Sequence, residues 1–240
     1  MNMKVDLCGV TLNNPVMTAS GTFGSGAEYA EFVDLNKLGA VVTKGVANVP
    51  WPGNPTPRVA EVYGGMLNAV GLQNPGIDLF VERDIPFLKQ FDTKIMVNVC
   101  GHSTEEYIEV VERLRDQPVD LLEINISCPN VKEGGIAFGQ DPKAVEAITK
   151  EMKKHAAQPV IMKLSPNVTD ITEMARAAEA GGADGLSLIN TITGMKIDIN
   201  RQKFVLANKT GGMSGPAIHP VAVRMVYQTA QAVRLPIVGM

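Results

Sequence analysis

One short stretch of this sequence places three polar side chains, one of them a thiol, at the end of an apolar run. Residues 121–124 read as a buried strand, and a proline at position 129 stops it. Asn125, Ser127 and Cys128 lie between the two. Strand ends carry the reacting groups of α/β barrels, where a thiol can act as a nucleophile or a general base. A buried structural cysteine is the alternative, because most free thiols are core residues.

Polar residues end several other apolar runs, and a barrel would point them toward one mouth. They are Ser20, Lys44, Asn98, Asn125, Cys128, Lys163, Asn190 and Thr191, and Asn68 in a loop could join them. The set has no pair of acids, which argues against glycoside hydrolysis. His102, His155 and His219 all lie away from strand ends, which argues against a Ser-His-Asp mechanism, and His102 reads as a solvated loop residue. Amides and lysines suit a planar heterocycle with carbonyls, ring NH groups and a carboxylate.

The two lysines and a glycine-rich segment leave alternatives open. Lys44 and Lys163 could form a Schiff base, face an anionic cofactor, or extend outward into solvent. The stretch Gly211–Gly215 could give backbone NH groups to a phosphate or a flavin, although such glycines more often form turns.

Short apolar runs without alternation predict strands that are covered on both faces, as in a parallel sheet. The runs are Val16–Ala19, Ala40–Lys44, Ile95–Val99, Leu121–Asn125, Val160–Leu164, Gly185–Asn190 and Pro236–Gly239. Ser103, Asp141 and Asp170 are helix N-cap signals between them. Alternating strands and helices in this number predict an α/β fold, a (β/α)8 TIM barrel, in one domain over residues 1–240.

Three segments fall outside the strand–helix alternation. Val5–Leu12 reads as a hairpin before the barrel, with Cys8 as a structural residue. The connections 45–76 and 191–219 are too long for turns, and long loops in a compact domain tend to be functional. Since the sequence stops after the seventh strand, an eighth βα unit is missing, and we expect the chain to be part of a longer protein.

Composition narrows the function class. Net charge is −3, with 45% hydrophobic and 20% charged residues, which predicts a soluble globular protein without a nucleic-acid or membrane partner. There is no signal peptide and no apolar run of the roughly 18 residues that a membrane span needs, so we expect a cytoplasmic protein. Three cysteines cannot supply four thiolates to an iron–sulfur cluster, and no metal-binding motif is present.

The motifs together resemble the catalytic (FMN) subunits of class 1B dihydroorotate dehydrogenases. The resemblance spans the whole sequence, and the Asn-x-Ser-Cys-Pro-Asn motif together with the segment around Asn68 is highly specific. The matching segments are Ala19–Gly24, Thr43–Gly45, Gly53–Arg58, Gly65–Gly76, Asn125–Asn130, Val168–Ile171, Ile189–Thr191 and Gly211–Pro216.

The resemblance implies that FMN is the cofactor and Cys128 the catalytic base. The base would take a proton from C5 of dihydroorotate while hydride passes from C6 to flavin N5. An unperturbed thiol pKa of about 8.5 makes cysteine a usable base near neutrality. The implied substrate-binding residues are Lys44, Asn68, Ala69, Val70, Gly71, Leu72, Asn125, Asn190 and Thr191. The implied FMN-binding residues are Ser20, Lys44, Gly45, Asn98, Asn125, Lys163, Ile189 and Gly215. Lys163 would face the flavin edge that becomes negative on reduction, and the segment Pro129–Gly139 would close over the substrate.

The resemblance also implies a partner. A second subunit carrying FAD and a [2Fe–2S] cluster would pass electrons to NAD+, in a heterotetramer built on a homodimer. Three alternatives remain: a fumarate-linked class 1A enzyme, a Schiff-base lyase using Lys163, and a barrel that binds without turnover. The family's phosphate site lies after the last two strands, so we expect weak FMN binding if the chain is complete.

Overall fold

A parallel sheet forms the centre of the fold in this computed structural model, which describes residues 2–127 and 135–240. The strands of these residues are β1 (Val5–Leu7), β2 (Val10–Leu12), β3 (Ala40–Val42), β4 (Val59–Val62), β5 (Gly65–Asn68), β6 (Lys94–Val99), β7 (Leu121–Asn125), β8 (Val160–Lys163), β9 (Gly185–Leu188), β10 (Ile192–Met195), β11 (Ile197–Asp198), β12 (Lys203–Phe204), β13 (Thr210–Ser214) and β14 (Ile237–Gly239). The helices are α1 (Ile77–Leu79) and α2 (Ile85–Leu88), joined by a π-helical turn (Phe80–Asp84), then α3 (Thr104–Leu114), α4 (Gly135–Gln140), α5 (Pro142–His155), α6 (Ile171–Ala180) and α7 (His219–Ala232). Two 3₁₀ turns cover Leu35–Lys37 and Pro216–Ile218.

The parallel strands follow one another in the order of the chain. Their order across the sheet is β14-β9-β8-β7-β6-β3, with helices α3, α5, α6 and α7 along one face. Strands β7, β8 and β9 are buried along their whole length, so both faces of the sheet are covered. This succession is that of a TIM barrel, as the sequence predicts.

The first predicted strand, Val16–Ala19, is wrong as a strand. Only Met17 pairs with the parallel sheet, through a single bridge to Ala40. One residue further on, the Thr18 hydroxyl accepts a hydrogen bond from the Val42 N–H at 2.9 Å and donates to the Val42 carbonyl at 3.2 Å. The Thr18 hydroxyl therefore takes the backbone N–H and carbonyl of Val42 in β3, with which the backbone of a regular strand would pair.

The three predicted helix caps are confirmed. Ser103 accepts from the backbone N–H of Glu106 at the start of α3. Asp141 caps α5, which has a proline at its first position, and Asp170 caps α6. Each helix then buries an apolar stripe against the sheet, so local cap and periodicity signals agree with the tertiary packing.

Parts of the predicted long connections 45–76 and 191–219 are strands. Their segments form an antiparallel sheet in the order β10-β13-β5-β4, in which Gly212 lies opposite both Asn68 and Thr193. A Cβ on Gly212 would come within 1.9 Å of Thr191 Oγ1, so only glycine allows this close approach. The expectation of a glycine loop at Gly211–Gly215 is therefore wrong over most of its length, because Thr210–Ser214 is a central strand.

The predicted N-terminal hairpin is confirmed. Strands β1 and β2 pair through a tight turn at Cys8 and Gly9, and Leu7 and Leu12 pack against the buried start of the parallel sheet. The Cys8 thiol donates to the carbonyl of Asp184 at 3.2 Å. Burial, together with the nearby charge of Asp184, raises the pKa of Cys8 to about 11, so the group stays a thiol.

Candidate active site

Most of the predicted site residues line a cavity of about 610 Å³ at the carboxyl ends of the parallel strands. Its walls come from both sheets. Those of the sequence-predicted residues that line it are Ser20, Lys44, Gly45, Asn68, Val70, Gly71, Leu72, Asn125, Lys163, Ile189, Asn190, Thr191 and Gly215. The volume lies in the usual range for small-molecule and cofactor sites.

Two of the described predicted residues are not part of this wall. Ala69 is fully buried and packs with Leu67 in a small cluster under the antiparallel sheet. Asn98 is fully buried, and its Oδ1 accepts a hydrogen bond from the side-chain amide of Asn125. Cys128 lies outside the described residues, as does the segment 129–134 of the predicted closing loop, whose remainder belongs to α4.

Lys163 points into the barrel. Its ammonium lies 3.1 Å from the Ser20 hydroxyl and 3.7 Å from a Glu123 carboxylate oxygen, and the side chain is 5% exposed. The alternative of a lysine extending outward from its strand is therefore wrong for this residue. The amine is thus already engaged by two buried side chains, which disfavours a free nucleophilic amine at this position.

Glu123 is a buried residue beside Lys163 that the sequence analysis did not single out. Its carboxylate accepts from the Ser187 hydroxyl at 2.7 Å and from the Asn98 side-chain amide, and its side chain is 1% exposed. A single acidic residue inside an otherwise apolar strand is the signal that could have identified it. A buried charge requires partners, and two partners of Glu123, namely Asn98 and Lys163, are predicted site residues.

The amides beyond Glu123 form a connected row. Asn125 donates its side-chain amide to the Asn98 Oδ1 at 3.2 Å, and its own Oδ1 accepts from the hydroxyl of Ser127 at 3.1 Å. Asn190 donates to the Ser127 hydroxyl at 2.8 Å. The Tyr107 hydroxyl donates to the Asn125 backbone carbonyl at 2.7 Å and so anchors the end of β7. Side chains from the ends of β6, β7 and β9 are thus held by one another.

The opposite wall is held by a buried asparagine. The Asn74 Oδ1 accepts from the N–H groups of Ala47 and Gly76, and its amide donates to the Leu72 carbonyl at 2.8 Å. Gly71 and Leu72 both have positive φ values, 74° and 53°. Asn74 therefore fixes a turn whose backbone faces the cavity, although a loop asparagine carries no sequence signal for that role.

Several further wall residues carry no sequence signal of a site. Tyr29, Met66 and His219 lie in a loop, in β5 and at the start of α7, and only tertiary packing brings them to the cavity. His102 is not among them. Its ring packs against Trp51 at a tilt of 35° with centroids 4.0 Å apart, and its Nδ1 lies 3.2 Å from a Glu106 oxygen.

A second, more open cavity of about 540 Å³ lies between α6 and α7. It is lined by residues of α6 and α7 and of the segment before α6, and none of the predicted site residues lines it. Among residues 2–127 and 135–240 no cluster of His, Cys, Asp and Glu has the arrangement of a metal site. Over the same residues, every helix is too short or too polar to cross a bilayer.

The residues present fit a flavin nucleotide. Lys44 and Lys163 supply positive charge, and asparagine and serine groups supply hydrogen-bond partners for a polar ring edge. Apolar wall residues, among them Val70, Leu72 and Ile189, suit the flat apolar part of the ring. A Cβ on Gly45 would lie 2.9 Å from Asn98 Oδ1, so the backbone there runs close to the amide row.

Fold and site define an α/β-barrel protein with a ligand cavity at the carboxyl ends of its strands. The family model described as dihydroorotate dehydrogenase matches residues 2–240, and the chain belongs to this family. It is 75% identical to the "dihydroorotate dehydrogenase B (NAD(+)), catalytic subunit" of Lachnoclostridium phytofermentans, over the whole chain and 80% of that relative. Proteins of the same description from Alkaliphilus metalliredigens and Geobacter sulfurreducens are 68% and 56% identical, over 100% and 99% of this chain and 80% and 78% of theirs.

Proposed function

We propose that this chain oxidises dihydroorotate to orotate in de novo pyrimidine biosynthesis, with FMN held in the cavity. The observation that carries the proposal is the buried Lys163–Ser20 contact at the carboxyl end of β8, inside a wall of asparagine amides. The site thus combines the fixed positive charge of Lys163 with asparagine amides that can donate hydrogen bonds to carbonyl and carboxylate groups. The names of the relatives supply the reaction.

The substrate is a flat ring with carbonyl oxygens and a carboxylate. Asn68, Asn125 and Asn190 line the cavity from three different elements, so their amides can bind the edges of such a ring. Lys44 at the end of β3 supplies a charge for the carboxylate. Gly71 and Leu72 bring backbone groups to the same ligand, while Ala69 and Val70 support that turn.

FMN, when bound, supplies the hydride acceptor. Ser20, Gly45, Lys163, Ile189 and Gly215 would hold it from the cavity wall, while Asn98 would act from behind that wall. The Lys163 ammonium stabilises negative charge at its position without reorganising, because it is already held by Ser20 and Glu123.

We assign the proton transfer to Cys128. The backbone N–H of Ser127 donates to Asn125 Oδ1 at 3.3 Å, so the chain approaches position 128 from a fixed point at the strand end. A thiolate at Cys128 would take the proton from C5 of the substrate, and residues 129–139 would exclude water from the site.

The electrons would leave through a second subunit. The relatives are described as catalytic subunits of an NAD(+) enzyme, which favours NAD+ over fumarate as the final acceptor. We propose a partner carrying FAD and a [2Fe–2S] cluster, in a heterotetramer around a homodimer in the cytoplasm. A Schiff-base lyase is disfavoured, because Lys163 is a buried, paired ammonium.

A visible spectrum with FMN in excess, followed by anaerobic dihydroorotate, tests the proposal. We expect flavin absorbance to co-elute with the protein and to bleach on addition of substrate. Cys128→Ser should slow bleaching by about 100-fold or more while orotate binding persists. Cys8→Ser is the matched control, because serine can keep the hydrogen bond to Asp184. Protein that stays colourless, or flavin that does not bleach, would contradict the assignment.

A further inference from the structure

The buried carboxylate of Glu123 contacts two residues of the proposed FMN site at once. It accepts from the amide of Asn98 and lies 3.7 Å from the ammonium of Lys163, and Ser187 holds its other oxygen. Building on the proposed function, we propose that Glu123 is a positioning residue. It sets the direction in which the inner amides of the cavity donate, and it fixes the lysine beside them.

The direction follows from what each group can do. An ionised carboxylate only accepts hydrogen bonds, so Asn98 must turn its NH₂ group toward Glu123. The Asn98 Oδ1 then faces Asn125, whose amide donates to it at 3.2 Å. An asparagine side chain keeps nearly the same shape when its amide group is rotated by 180°. Its hydrogen-bond partners therefore determine where the NH₂ group and the oxygen lie. Glu123 is the partner that decides for Asn98.

Asn190 serves as a comparison within the same protein, because the orientation of its amide does not depend on Glu123. Its Oδ1 accepts from the backbone N–H of Thr191 at 2.8 Å, and its amide donates to the Ser127 hydroxyl. A backbone donor therefore orients Asn190 whatever occupies position 123. Asn125 is intermediate, since Ser127 holds its Oδ1 while Asn98 receives its amide.

These orientations should make the cavity favour ligands that present hydrogen-bond acceptors to the amides. The side-chain oxygens of Asn98, Asn125 and Asn190 are each engaged by a protein donor, so the amides have N–H groups to offer. Of the three, Asn125 and Asn190 line the cavity. Ring carbonyls and a carboxylate match such donors.

The test compares three substitutions with a surface control. Glu123→Met removes both the charge and the acceptor. Glu123→Gln can keep an acceptor for Asn98 while its NH₂ group donates to Ser187, and so removes only the charge. Glu123→Asp keeps the charge but withdraws it from Asn98. Glu173→Gln, on the exposed face of α6, is the control.

Side-chain amide NMR signals of asparagine-labelled, flavin-free protein provide the first readout. Glu123→Met should shift the signals of Asn98 and also of Asn125, which Glu123 does not touch, and leave those of Asn190 in place. Glu123→Gln should keep all three patterns. If circular dichroism shows that Glu123→Met is unfolded, the same amide signals are compared in Glu123→Asp, which also withdraws the carboxylate from Asn98. Unchanged Asn125 signals in the folded variant would overturn the proposal.

Orotate affinity of the FMN-loaded protein is the second readout. Because a buried unsatisfied amide is costly, we expect binding to weaken about tenfold or more in Glu123→Met. Glu123→Gln and Glu173→Gln should stay within about threefold, since a loss of negative charge does not hinder an anionic ligand. Equal weakening in the Gln and Met variants would overturn the positioning role. A wild-type chain that binds neither FMN nor orotate would refute the proposed function instead, while the NMR comparison would still decide the role of Glu123.

Discussion

The ammonium of Lys163 lies 3.1 Å from the hydroxyl oxygen of Ser20, although 143 residues separate the two in the sequence. Ser20 follows the first apolar run of the chain and Lys163 ends β8, so the contact crosses the mouth of the barrel. It joins two residues that the family resemblance assigns to FMN. Both are nearly excluded from solvent, which makes the hydrogen bond count for more than a surface contact would.

Replacing Ser20 with alanine should weaken FMN binding about tenfold, because Lys163 loses a charge-assisted hydrogen bond that holds it toward the cavity. Fluorescence titration of FMN measures the effect. Thr11→Ala, on the exposed hairpin away from the cavity, removes a hydroxyl without touching the site and serves as the control. Equal FMN affinity in the Ser20→Ala and wild-type proteins would contradict the assignment.

Replacing Lys163 with methionine should lower the free energy of unfolding by about 3–5 kcal/mol, since it leaves Glu123 as a buried carboxylate without its ammonium. The double variant with Glu123→Met should be less destabilised than the single one. Urea unfolding measures both. Lys150→Met, which breaks an exposed pair with Glu146, should cost less than about 1 kcal/mol. If the double variant is as unstable as Lys163→Met alone, the loss of stability does not come from an unpaired carboxylate at Glu123.

Cys8 should react slowly with iodoacetamide at neutral pH, because its pKa is raised to about 11 by burial and by nearby Asp184. Mass spectrometry of the Cys8 peptide across a pH series gives the midpoint. The folded state holds the thiol proton more tightly than the unfolded state does. Stability from this group is therefore present below pH 9.0 and is lost as pH rises toward 11. A midpoint near 9 would show that the hairpin leaves the thiol solvated.

Replacing Gly212 with alanine should destabilise the protein by about 1–3 kcal/mol, because the new methyl group would overlap the Thr191 side chain. Thermal or urea unfolding measures the change. Gly21→Ala is the matched control: a Cβ there meets no atom within 4 Å. If the two variants unfold alike, the close approach of β13 to Thr191 does not constrain the fold.

The sequence was sufficient for the features that depend on neighbouring residues. The caps at Ser103, Asp141 and Asp170 and the buried strands β6 to β9 follow from residue types a few positions apart. Because parallel strands end on the same side of a sheet, the sequence also predicted that Lys44, Asn125, Lys163 and Asn190 would meet at one mouth.

Only the tertiary structure decided which groups face one another. The register that sets Asn68 opposite Gly212 joins segments 144 residues apart, and no local periodicity encodes it. In the sequence, Glu123 is an acidic residue in an otherwise apolar strand. The structure explains its burial, because Asn98, Ser187 and Lys163 surround its carboxylate. The sequence by itself determined the strands, the caps and the chemistry carried to the mouth of the barrel. Long-range packing determined the partners, because a buried polar group is satisfied by whichever side chains the fold brings within reach.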